Sequence, residues 1–242
     1  MRIDRTLEPL RAVASLFYPA LCAVCQAPVT RNHYVCQNCL DKAQPIVAPF
    51  CGKCSEPFSG AIDREFTCAN CGDRRLAFDA AVSAYRSRGV VRFLILQFKY
   101  NRQLHLRHPV GAWLQEAMND ARLSRRRFDL VIPVPLHPAR FRERGFNQAE
   151  VLAKNLAQKI NVPFRRVLDR TRYTTTQTAF DRTERMENLR GAFRLRKNID
   201  VRGLQVLLVD DILTTGSTLS ECARVLRQAG AHSIYGVTAA RA

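Results

Sequence analysis

From Val206 to Val209 the chain runs through four consecutive apolar residues, a pattern that predicts a strand buried on both faces. Its character then changes: Asp210 and Asp211, the apolar pair Ile212-Leu213, and the polar turn Thr214-Thr215-Gly216-Ser217-Thr218. Beyond the turn, Leu219, Cys222, Ala223 and Leu226 recur at helical spacing, and Gly230 closes that helix as a C-terminal cap. The same order occurs earlier. Asp129–Pro135 reads as an apolar strand, Leu136–Phe146 as a loop, and Asn147 caps a helix carrying Glu150 at its third position with Ala149, Leu152, Ala153, Leu156 and Ile160 on one face. Ala80–Arg86 and Ser233–Thr238 read as two further strands. Gly89 precedes an amphipathic helix built on Val91, Leu94, Ile95 and Phe98, and Pro109–Ala121 reads as another helix. Strands alternating with helices predict an α/β fold with a parallel sheet.

Outside these elements the pattern weakens. Residues 1–21 form a short amphipathic lead-in, with Leu7, Leu10, Ala14 and Phe17 on one helix face. Arg122–Arg127 reads as an exposed basic loop. Val162–Phe193 is irregular and polar, and its length suits a lid ahead of the strands Phe193–Leu195 and Val206–Val209.

Charge and cysteine content divide the 242 residues in two. Residues 1–72 hold seven Lys/Arg against six Asp/Glu, a net of +1, whereas residues 73–242 hold 31 against 15, a net of +16. The basic part calls for an anionic partner. Eight of the nine cysteines lie between Cys22 and Cys71, in four Cys-x-x-Cys pairs: Cys22/Cys25, Cys36/Cys39, Cys51/Cys54 and Cys68/Cys71. Each pair offers two thiolates to one ion, and two pairs complete a tetrahedral Zn–S₄ shell. Pairing in sequence order lets each ribbon close locally, although a cross-braced order fits the spacing as well. Two structural zinc ions are expected, with no coordination position left for catalysis and with metal binding supplying the folding energy of a module short of core. With eight thiolates the module ends slightly acidic, better suited to contacting protein, including the basic domain beside it, than to clamping nucleic acid. The expected boundary is 1–75 for the lead-in and ribbons and 76–242 for the α/β domain. Asp4 and Glu8 interrupt the basic start, Pro19 interrupts the apolar run Ala12–Leu21, and no run is long enough to span a membrane. A cytoplasmic location and reduced thiols are expected.

The polar turn carries the chemistry. Free N–H groups and the dipole at a helix N-terminus favour a phosphate. Gly216 lets the backbone approach closely, and the Thr and Ser hydroxyls add donors. Asp210 and Asp211 would repel a phosphate but suit the two hydroxyls of a ribose, and an acid pair on a buried strand end is costly without a ligand. Residue by residue, Val206–Thr218 resembles the phosphoribosyl-pyrophosphate (PRPP) motif of the type I phosphoribosyltransferases. That resemblance implies a PRPP or phosphate site made of Asp210, Asp211, Thr214, Thr215, Gly216, Ser217 and Thr218, with Mg²⁺ held mainly by PRPP itself. It also implies that the loop after the Asp129–Pro135 strand is the pyrophosphate loop and faces this turn. Lys99, Arg140, Arg142 and Arg144 are the candidate pyrophosphate or nucleic-acid contacts, since arginines interleaved with Phe141 and Phe146 suit single-stranded nucleic acid; the plainer alternative has both rings in the core and the arginines solvated. Gln177, Arg182 and Asn188 are the candidate residues of the flexible loop. Because the sequence ends just after its last strand, no C-terminal hood over a nucleobase is expected, and any cap would come from residues 73–110.

With the cysteine pairs in front, the layout resembles the ComF/GntX family. The stretches that carry the resemblance are Phe98-Lys99-Tyr100, Val134-Pro135-Leu136-His137-Pro138, Arg142–Gln148, Gln177 with Asn188–Phe193, and Val209–Thr218. The resemblance implies a cytoplasmic protein that handles incoming single-stranded DNA during competence or DNA uptake, beside a helicase or other uptake protein. Three readings stay open: such an accessory protein with a PRPP-binding or phosphate-binding loop, an active phosphoribosyltransferase of unknown acceptor, and a zinc-ribbon adaptor with a vestigial ligand site.

Overall fold

A computed structural model describes residues 20–30, 33–60, 66–101, 103–173 and 189–242. The amphipathic lead-in up to residue 19, and Gln177, Arg182 and Asn188, lie outside the described residues. The two ribbons come first, each closing on a one-turn helix, α1 (Gln37–Leu40) and α2 (Ala69–Gly72). The α/β part then runs β1 (Ala80–Arg86), α3 (Gly89–Tyr100), α4 (Arg107–Ala117), α5 (Ala121–Ser124), β2 (Leu130–Pro133), α6 (Pro138–Arg144) and α7 (Gln148–Lys159). It continues with β3 (Leu168–Arg170), β4 (Phe193–Leu195), β5 (Gln205–Leu213), α8 (Ser217–Gln228) and β6 (Ser233–Arg241).

Four strands form one parallel sheet in the order β1-β6-β5-β2. Parallel neighbours need crossovers, and the helices supply them on both faces, so the strands are apolar on both sides. Val206, Leu207, Leu208 and Val209 are all fully buried. Each contributes about 1.5–3 kcal/mol of apolar burial. Leu207 and Val209 pack with α3, α4 and α7, while Val206 and Leu208 pack with α8 and the β3–β4 hairpin.

Six expectations are corrected. β5 does not stop at Val209: it pairs with β6 through Asp210↔Thr238 to Leu213↔Arg241, so the carboxylates lie inside the strand, and β6 runs to Arg241 rather than Thr238. Residues 136–146 are not a loop throughout, because Pro138–Arg144 is helical. His137 caps it, Pro138 takes its first position and Gly145 ends it at φ 81°. With no buried residue of its own, this helix has no apolar stripe to announce it. The helix expected over Pro109–Ala121 starts at Arg107 and ends at Ala117, since Pro109 is tolerated in a first turn and Asp120 caps the next helix through Arg122 N–H. Arg122 therefore leaves the supposed basic loop, whereas Arg125, Arg126 and Arg127 are exposed as expected. Finally, Val162–Phe193 contains β3, and β4 pairs antiparallel with it instead of joining the main sheet. Strands of three residues are too short to show a period.

Candidate functional site

In open parallel sheets, ligands bind beyond the carboxyl ends of strands whose following helices leave on opposite faces. β5 and β2 are such neighbours here, since α8 packs on one face after β5 and α7 on the other after β2. Beyond these strand ends, where topology puts the crevice, the chain continues as Val134–His137 after β2 and as the Thr214–Thr218 turn after β5.

Gly216 caps α8 at φ 77°, ψ 0°, a left-handed conformation that other residues adopt only under strain. Thr215 and Ser217 hydroxyls lie 2.8 Å apart, and Thr215 Oγ1 accepts from Ser217 N–H at 3.3 Å. Thr214 is exposed, Thr215 and Thr218 are half-buried, and Ser217 is buried. This arrangement gathers hydroxyls and the first N–H groups of α8 at the mouth of the crevice. Cys222, one turn on, is fully buried, and that burial pushes its thiol well up.

Strand alternation separates the two carboxylates. Asp211 lies on the α3 face, almost buried, in an ion pair with Lys99 Nζ at 2.8 Å. Asp210 lies on the other face, where Cys222 and the half-buried Arg170 are its neighbours and where its Oδ1 accepts from Asp211 N–H at 2.9 Å. Burial, with Asp211 next door, pushes the Asp210 carboxyl up to about 7, against a pull downward from Lys99. A carboxyl raised in the native state holds a proton there that the unfolded chain has already lost. Stability should therefore fall as pH rises from about 4 through about 7. Asp210→Asn should flatten that slope and raise the Tm at pH 8 by several degrees, from a gain of about 2 kcal/mol. Thermal unfolding followed between pH 5 and pH 8 measures it, and an unchanged slope in the variant would rule the assignment out.

The other predicted cations are dispersed. On α6, Arg142 points away from Arg140 and Arg144 because residues two apart face opposite sides of a helix. Arg140 reaches Glu143 at 3.2 Å and sits 5.5 Å from the Tyr173 ring. Arg144 lies 4.8 Å from the Tyr100 ring and donates to Gln148 Oε1 at 3.1 Å. Phe146 packs on Phe98 as a core ring, whereas Phe141 is 47% exposed. Sequence reading missed the arginines of the β3–β4 hairpin. Arg194 lies on β4 and Arg196 just past its end, and both pair with Asp169, so no period within the three-residue strand announces them.

Both cysteine groups pair in sequence order, Cys22/Cys25/Cys36/Cys39 and Cys51/Cys54/Cys68/Cys71, each with its sulfurs within 4.8 Å of one another. Four sulfurs about 2.3 Å from one zinc would stand about 3.8 Å apart. Cys25–Cys36 and Cys54–Cys68, at 3.6 Å each, fit that shell. Two zinc ions held by eight thiolates suit these clusters, and such ions brace the ribbons without an open position. The second cluster is sewn to the crevice. Asn70 donates to the Thr215 carbonyl at 3.3 Å, and Phe78 lies 3.5 Å from where a side chain on Gly216 would begin. The buried Arg241 pairs with Glu56, donates to the Leu213 carbonyl at 3.2 Å and approaches Cys54 Sγ at 4.0 Å. Arg122 donates to the Cys51 and Gly52 carbonyls and to Ser55 Oγ at 2.9–3.2 Å.

Two family models match this chain. Residues 13–74 match the model of the double zinc ribbon domain, and residues 147–241 match that of the phosphoribosyl transferase domain. Competence protein F of Haemophilus influenzae is 30% identical over 86% of this chain and 90% of its own length. DNA utilization protein YhgH of Salmonella typhimurium is 30% identical over 90% of this chain and 96% of its own. Competence protein ComFC of Bacillus subtilis is 26% identical over 81% of this chain and 79% of its own. Among the described residues, no helix is long and apolar enough to cross a membrane.

Proposed function

The chain belongs to the ComF/GntX family, and on that premise we propose that it is a cytoplasmic accessory protein of DNA uptake or utilization. Its basic part, residues 76–242, binds single-stranded DNA, and its Thr214–Thr218 turn binds the phosphate of PRPP, with Mg²⁺ brought by the ligand, or of a nucleotide. Residues 1–75 form a metal-folded module whose slightly acidic surface leaves room for a protein partner such as a helicase.

The observation that carries the phosphate reading is the crevice itself. A hydroxyl-rich turn with a left-handed glycine stands at the start of a twelve-residue helix, beside a strand whose next neighbour sends its helix to the opposite face. Asp210 is the carboxylate left for a sugar hydroxyl, since Asp211 is engaged by Lys99. A hydroxyl donates best to the ionised carboxylate, so ligand binding should tighten as pH rises through about 7.

Thermal unfolding with PRPP and Mg²⁺ tests this. Ligand at a hundred times its Kd stabilises by about 2.7 kcal/mol. The shift should be present in wild type, absent in Asp210→Asn, and larger at pH 8 than at pH 6. No shift with PRPP, pyrophosphate or nucleotides would leave the adaptor reading in its place. The DNA half is tested separately: binding of an oligothymidylate should weaken with salt, log K falling by about 0.7 per phosphate contacted per decade of salt.

A further inference from the structure

Beside the crevice, between α6 and the β3–β4 hairpin, runs a groove of about 700 Å³ that the phosphate turn does not enter. Its two walls differ. One is apolar, formed by Pro135, Leu136, Pro138 and the projecting ring of Phe141. The other carries Arg166, Arg194 and Arg196, and the groove is also lined by the exposed Arg142 and by the half-buried Arg170, which neighbours Asp210. Among the described residues that line it, five guanidinium groups stand with two carboxylates, Glu150 and Asp169. Glu150 pairs with Arg166, and Asp169 pairs with Arg196 at 2.8 Å and Arg194 at 4.0 Å.

We propose that this groove is the track for single-stranded DNA, with phosphates on the hairpin arginines and an unpaired base against Phe141. The assignment rests on the DNA-handling function proposed above and says where that binding occurs. A polyanion without bases, such as an acidic peptide, would leave the apolar wall and the half-exposed ring unused. A duplex would hide its base faces from that ring. Arg170, which lines the groove and neighbours Asp210, brings the strand close to the sugar-phosphate site without use of the Thr214–Thr218 turn.

The test uses the full zinc-loaded chain and fluorescence anisotropy with a dye-labelled twenty-residue oligothymidylate. Arg142→Glu/Arg194→Glu reverses two exposed charges. It should bind at least about tenfold more weakly, with the salt slope reduced by about 1.4 for two lost phosphate contacts. Arg125→Glu/Arg127→Glu, equal in charge change but placed before β2 at the far end of the sheet, should lose much less and serves as the control. Phe141→Ala should weaken binding about 5- to 150-fold with the salt slope unchanged, the signature of a lost stack. If the groove variant matches the charge control, the groove is overturned while DNA binding stands. If wild type binds no oligonucleotide at low salt, both fall. Equal affinity for duplex, or equal competition by polyglutamate, also overturns the groove.

Discussion

Stripping the metals with a strong chelator is expected to unfold the ribbons, and the two clusters should yield at different rates. A structural zinc contributes about 10–16 kcal/mol of apparent binding free energy that is also folding energy. The ribbons have little else, since their buried side chains are chiefly the cysteines themselves with Val35 and Ala43. In the first cluster Cys25 is exposed and Cys36 half-buried, so a chelator can reach the sulfurs directly. In the second all four are buried, and Arg122 and Arg241 hold the ribbon shut from the other side. Release followed with a chromophoric chelator should give two equivalents in two phases, fast then slow. Cys25→Ser should remove the fast one and Cys51→Ser the slow one. Because Asn70 and Phe78 bear on the phosphate turn, Cys51→Ser should also abolish the PRPP-induced thermal shift, whereas Cys25→Ser should spare most of it. A single phase, or a chain that stays folded without metal, would contradict the assignment.

The second large effect is expected from Lys99→Met. Lys99 and Asp211 have side chains only 16% and 5% exposed and lie 2.8 Å apart. Removing one partner of such a pair leaves a charge without compensation and costs about 3–5 kcal/mol, although replacing both can be nearly neutral. Lys99→Met should thus lower the Tm by roughly 10 °C or more for a chain of this size. Adding Asp211→Leu should restore much of the loss in urea or thermal unfolding. If the double variant is no better than the single, the interaction is not pairwise. The result also bears on ligand chemistry, because a lysine that locks one carboxylate of the pair leaves the other to meet the sugar alone.

The parts legible in the sequence were those with a strong period or a rigid chemical spacing. β1 emerged with its observed ends, Leu219, Cys222, Ala223 and Leu226 form the buried face of α8, and Asn147 caps α7 through Ala149 N–H. The cysteine pairs assemble in sequence order because each ribbon can close on its own ion. What stayed hidden depended on contacts far apart in the chain. Nothing local says that Arg122, within an arginine-rich stretch, turns back some seventy residues to hold Cys51, Gly52 and Ser55. Nor does a run of apolar residues reveal that β5 continues through two acids, since the extension is imposed by β6 alongside. Glu150, legible only as the third residue after the Asn147 cap, turns out to be engaged by Lys154 on its own helix and by Arg166 beyond it.

The strand order has a consequence for how the molecule is made. β6, the last of the described strands, lies between β1 and β5, so β1 finds no partner in the main sheet until β6 has been synthesised. A nascent chain can close its ribbons early, but the sheet must wait for pairings such as Ala81↔Gly236 that span most of its length. Such long-range closure is slow and leaves unpaired strand edges open to association. Shortening the chain by its final ten residues should therefore yield a metal-bound head on an aggregating body rather than a trimmed native protein.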